Sequence, residues 1–153
     1  MTIAYDSLIE EIVQSVFATM LNIAVARVCE PVPEEHDALL ATIQISGAWM
    51  GSIVLELTPQ VSIAAASAML ELPLADVAEV DQQDVAAELV NMIGGNLKSM
   101  LPGPSFLSLP TIVSGQNIGL QVHNATLIEH VSLQSPVGSI QVRLYEHVSP
   151  TEM

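Results

Sequence analysis

Residues 84–101, DVAAELVNMIGGNLKSML, sort into two faces when wound at about 100° per residue. Val85, Ala86, Leu89, Val90, Met92, Ile93, Leu97, Met100 and Leu101 form a broad apolar arc, the pattern of a helix with one face in a core. Opposite runs a narrow stripe of Asp84, Ala87, Glu88, Asn91, Gly95, Lys98 and Ser99. Asn96 falls near the edge of the apolar side, where it needs a hydrogen-bond partner. Asp84, Glu88, Asn91 and Gly95 are spaced four, three and four apart and therefore stack on one line. Gly94 and Gly95 each cost about 1 kcal/mol relative to alanine in a helix interior. Close approach of another backbone is one reason to keep a glycine there. The line therefore reads as a flat docking strip with one carboxylate and one amide standing on it, or as a solvated face whose glycines only lower stability.

The run Asp84-x-x-x-Glu88-x-x-Asn91, followed by Met92-Ile93-Gly94-Gly95-Asn96-Leu97, resembles the signature helix of the CheC/CheX/FliY family of chemotaxis phosphatases. The family's pattern is Asp or Ser, three residues, Glu, two residues, Asn, and a later Pro before a strand. Pro110 lies a few residues closer than that pattern places it, and is not counted as a match. The resemblance implies removal of the phosphoryl group from the aspartyl-phosphate of a CheY-like response regulator. It implies catalytic roles for Glu88 and Asn91, with Asp84, Gly95 and Lys98 in partner binding. Magnesium is then expected in the regulator, and no metal or cofactor on this chain.

Composition narrows the alternatives. The 153 residues are expected to form a single domain, enough for a sizeable core. Half of the residues are apolar and 13% are charged. No run approaches the roughly 18–20 apolar residues of a membrane span. The most apolar segments, 16–28 and 61–70, are broken by Asn22, Arg27, Ser62 and Ser67. That balance suggests burial of apolar surface in an oligomer. Net charge is −14, with Arg27, Lys98 and Arg143 the only basic residues. Phosphate backbones and anionic membrane surfaces would be repelled, so neither nucleic acid nor membrane is an expected partner. No basic residue precedes Arg27, so no secretory leader is expected. The single Cys29 allows no internal disulfide, and a cytoplasmic location is the default. Cys29 is expected to be a small buried residue.

Along the chain, residues 5–21 predict a first helix. Its outer face carries Ser7, Glu11, Gln14 and Ala18, the spacing of Asp84, Glu88, Asn91 and Gly95. Residues 28–37, with Pro31 and Pro33, predict a connector. Alternation predicts strands near 41–46 and 53–57, joined as a hairpin around residues 47–51. Thr58 and Pro59 suit the start of a helix over 60–72, and residues 76–83 an acidic approach to the central helix. Strands are expected over 106–114, 119–125 with 126–133 continuing past a bend, and 140–145, with a turn at 136–138.

Ile45-Ser46-Gly47-x-x-x-Gly51 recurs as Val113-Ser114-Gly115-x-x-x-Gly119. With the two helices this suggests an internal helix–strand–strand repeat, and family members are built on a pseudo-two-fold repeat. The expected fold is α+β, a largely antiparallel sheet with helices packed on one side. Because the first copy ends in Gln14, it departs from the motif and is read as a degenerate, structural site.

Other chemistry finds little support. His36, His123, His130 and His147 show no zinc-ligand spacing, and neither a phosphate-cradling loop nor a nucleophile elbow is present. Ser114 and Gly115 read as turn formers. The competing class is a non-catalytic module that binds a regulator or dimerises. The strand over 140–145, with only Arg143 as a charged guard, is expected at a sheet edge and a homodimer is expected through such an edge.

Overall fold

A computed structural model describes residues 3–29, 37–116 and 124–147. The elements run α1 (Tyr5–Leu21), β1 (Ala26–Arg27), β2 (Asp37–Gly47), β3 (Gly51–Leu57), α2 (Pro59–Leu70), a 3-10 turn (Leu74–Asp76), α3 (Glu79–Lys98), β4 (Ser105–Leu107), β5 (Thr111–Gln116), β6 (Ala125–Ser135) and β7 (Gly138–His147).

Strand alternation explains the layering. Leu39, Ala41, Ile43 and Ile45 of β2 share one cluster with Ile53, Leu55 and Leu57 of β3, and with Ile140, Val142 and Leu144 of β7. The same cluster takes in Ile9, Val13 and Phe17 of α1, Val61 and Ala65 of α2, and Leu89, Ile93 and Leu97 of α3. One sheet face therefore meets all three helices. The pairings are antiparallel, in the order β1-β6-β7-β3-β2-β4, with β5 also on β2.

That order reads the same when halves are exchanged: β1 answers β5, β2 answers β6 and β3 answers β7 about the central β7–β3 pair. The helix–strand–strand succession is present twice, with a further edge segment after each helix: β1 after α1, and β4 with β5 after α3. The short glycine echo does not follow this symmetry. Gly47 closes β2, opposite Ser105 of β4 and just before the turn into β3, whereas Ser114 and Gly115 lie inside β5, which pairs with β2. Ser114 and Gly115 are thus strand residues, not turn formers. Residues 30–36 and 117–123, and with them most of the expected connector over 28–37 and most of the strand over 119–125, lie outside the described residues; Asp37 already belongs to β2.

Three further expectations change. The strand read over 140–145 is the central β7, flanked by β6 and β3. Its alternation reported burial of one face and carried no information about its neighbours. The strand read over 106–114 is split into β4 and β5. Cys29 is exposed, because it follows β1 at the rim of the sheet, past the last backbone bond to β6 among the described residues, from Val28 N–H to the Ser132 carbonyl at 2.8 Å. At the same rim the Arg27 guanidinium bonds Asp6 at 2.9 Å and holds that carboxyl below the usual carboxylate range. Thr58 precedes α2 as expected, but its hydroxyl makes no capping bond and is buried without a partner among the described residues.

Candidate functional site

α3 begins five residues earlier than its apolar periodicity indicates, at Glu79. The Asp81 carboxylate accepts the Ala78 N–H at 2.9 Å, and acidic side chains in the first turn suit the positive end of the helix dipole. It ends at Lys98, which leaves Met100 outside the helix and 59% exposed rather than on the apolar arc. Leu89, Ile93 and Leu97 fix the helix on the sheet from below.

The glycine pair divides into two jobs. A Cβ on Gly94 would meet Ile43 Cγ2 at 3.1 Å, so this glycine lets the helix lie close on β2. A Cβ on Gly95 would meet only Leu107 Cδ1, at 3.9 Å. Intramolecular packing therefore accounts for Gly94 and leaves Gly95 unexplained.

On the outer face Asp84, Glu88 and Asn91 are exposed, while Gly95 and Lys98 are half-buried. The structure thus brings together on one helix face all five residues singled out from the sequence. Among the described residues, none makes a hydrogen bond or ion pair with the side chain of Asp84, Glu88 or Asn91. The three basic side chains are engaged elsewhere: Arg27 with Asp6 and Glu10, Arg143 with Glu56, and Lys98 on the Ser105 carbonyl at 3.2 Å. Glu88 is a carboxylate with no local counter-charge, on a chain of net charge −14. Asn96, which needed a partner, is exposed and bonds the Met92 carbonyl at 2.8 Å.

The echo on α1 differs at its key position. Ser7, Glu11 and Ala18 are exposed, but Gln14 is half-buried and donates its amide to the Val25 carbonyl at 3.3 Å.

No cluster of three or more His, Cys, Asp and Glu side chains among the described residues could hold a metal ion. His130 Nε2 lies 2.6 Å from Gln141 Oε1 and His147 Nε2 lies 2.7 Å from Ser52 Oγ, so both rings belong to pairs on the sheet. His36 and His123 lie outside the described residues. A cleft of about 330 Å³ opens where α2 and α3 begin, lined by Asp37, Pro59, Ser62, Glu79, Gln82 and Ser114. Its polar groups largely bond one another, Ser62 to Gln82 at 2.7 Å and Ser114 to Glu79 at 3.1 Å. No sequence pattern marked it, because its walls come from four separate elements. Among the described residues no helix is long and apolar enough to cross a membrane.

The family model for chemotaxis phosphatase CheX matches residues 39–131. No curated protein matches in sequence. Among solved structures, a chemotaxis protein CheX from Desulfovibrio desulfuricans superposes with a TM-score of 0.77 at 21% identity, over 95% of this chain and 100% of that one. A chain of the CheX-CheY-BeF3-Mg+2 complex from Borrelia burgdorferi gives 0.73 at 19% identity, over 96% and 100%. FliY from Thermotoga maritima gives 0.59 at 13% identity, over 99% and 92%.

Proposed function

The chain belongs to the CheX family of chemotaxis phosphatases, and from that premise we propose that it stimulates hydrolysis of the aspartyl-phosphate of a CheY-like response regulator. The observation that carries the reading is the exposed, unpartnered pair Glu88 and Asn91, one turn apart on a helix fixed firmly to the sheet. An acyl phosphate is already activated, so the protein's task is placement of water in line with the phosphorus. An amide both donates and accepts hydrogen bonds, and Asn91 can hold such a water without any tuned pKa. The water oxygen bonds to phosphorus, the bond from phosphorus to the aspartyl oxygen breaks, and the products are the regulator's carboxylate and inorganic phosphate, which retains the water's protons.

Glu88 reaches into the regulator's site and pairs with a lysine there, which its lack of a counter-charge favours. Asp84, one turn earlier, contacts the partner loop. Gly95 lets the two backbones close, and Lys98 borders the interface with one of its three donors already on Ser105. Magnesium belongs to the regulator's site. The complex with CheY, BeF3 and Mg+2 formed by the similar chain from Borrelia burgdorferi supports this division of labour. We place the activity in the cytoplasm, in one domain that forms a homodimer and keeps α3 free.

The direct test incubates the protein with a panel of phosphorylated receiver domains and follows release of phosphate. Acceleration on one regulator is the expected result. Tight binding without acceleration would make the chain a binding module instead.

A further inference from the structure

We propose that Leu109 is an apolar anchor for the regulator, a specificity-determining residue beside the Glu88–Asn91 strip; this rests on the phosphatase reading above. Among the described residues it is the most exposed large apolar side chain, at 89%. A single exposed leucine is ordinary on a protein surface, but the position of this one is set by a bulge. Ile45 pairs with Leu107 and Thr42 with Thr111. Between those pairs β2 has two residues, Gln44 and Ile43, and the edge strand has three, Ser108, Leu109 and Pro110. Ser108 holds register, bonding the Gln44 carbonyl through its N–H and the Gln44 N–H through its hydroxyl, both at 2.9 Å. The extra residue therefore falls at Leu109 and Pro110, and bulges re-aim side chains beside functional sites.

The edge strand is tied to α3 at both ends. Lys98 bonds Ser105, Leu107 lies against Gly95, and Ser114 donates to Glu79 at 3.1 Å. Residues 108–113 consequently run beside the stretch of helix that carries Asp84, Glu88 and Asn91. Asn91 and Lys98 are seven residues apart, so they lie about 20° apart around the helix. Asn91 is thus on the flank that faces this strand. A standard interface covers about 800 Å² per partner, a disc of roughly 16 Å radius. Gly95 is about 6 Å along the axis from Asn91, and Leu109 is at most about 7 Å along the chain from Leu107. A regulator seated on Asn91 covers Leu109. Residues 105–113 carry no charge, so the partner meets carboxylates on the helix and an apolar knob beside them. The regulator that fits presents a cation at its phosphate and an apolar surface next to it.

The test uses the full chain and the receiver domain that the wild type dephosphorylates. Leu109→Ser should raise KM for the phosphorylated regulator about tenfold, as loss of one buried leucine predicts. Its kcat should stay within about twofold of wild type, with the thermal midpoint unchanged, and Leu109→Met should restore KM. An unchanged KM in Leu109→Ser, beside an Asn91→Ala variant that loses kcat, overturns the anchor alone. A KM loss that tracks a falling thermal midpoint also overturns it. A wild type that accelerates no regulator overturns the phosphatase reading, and the anchor with it.

Discussion

Gln14 donates its side-chain amide to the carbonyl of Val25 at 3.3 Å. Asn91, at the matching place on α3, has an exposed amide with no partner among the described residues. One extra methylene lets the α1 amide fold back onto its own chain, where it ties the helix to the segment entering β1. Gln14→Ala should therefore leave regulator dephosphorylation at the wild-type rate and lower the thermal midpoint modestly, by about 1 kcal/mol of stability. Comparable activity losses in Gln14→Ala and Asn91→Ala would mean two working sites, and a phosphate-release assay on both variants decides.

Asn91→Ala should reduce the stimulated rate by about a hundredfold, as expected when a reacting water is misplaced. Because Asn91 is exposed, circular dichroism and thermal midpoint should not change. A variant that keeps full activity on a confirmed regulator would remove the water-positioning role.

Glu88→Ala should weaken regulator binding at least about tenfold as well as slow the reaction, since the regulator's lysine would be left unpaired. The wild-type affinity should also fall as salt rises. Calorimetric titration at two ionic strengths measures both, and an affinity indifferent to Glu88 would dismiss the ion pair.

Gly94→Ala and Gly95→Ala should move in opposite directions. The Gly95 position has ordinary room, so alanine should stabilise the fold by about 1 kcal/mol while weakening regulator binding. At Gly94 the new methyl meets Ile43, which is fully buried and cannot give way. Overpacking there should outweigh the helix gain and cost about 1 kcal/mol net. Denaturant midpoints for the two variants, with binding measured for Gly95→Ala, check the pair.

The homodimer should form through a sheet edge other than β7, which is central. Among the described residues the side of β6 away from β7 is met only at 132–134, by Val28 and β1, so Ala125 to Val131 have no partner strand there. A charge at Leu127, 48% exposed on β6, should shift the assembly toward monomer. Light scattering over a dilution series reads it. A wild-type monomer at micromolar concentration would exclude the dimer, and a dimer that buries Asn91 would exclude docking on α3.

By itself the sequence determined where segments bury a face and where they do not. Helical spacing marked the outer line Asp84, Glu88, Asn91 and Gly95, and α1 falls at residues 5–21 as its periodicity predicts. Period-two alternation located β2, β3 and β7, because one face of each meets the helices. These are local consequences of side-chain geometry, and twenty residues suffice to express them. Tertiary structure alone decided which strand lies beside which. Alternation in residues 140–145 is the same at an edge or a centre, since sheet order is set by hydrogen bonds between distant segments. It also decided that Gly94 serves packing on Ile43 while its neighbour Gly95 does not, and that Gln14 is bonded to Val25. And it placed the Leu109 bulge, whose extra residue can be counted only against the partner strand that lacks it.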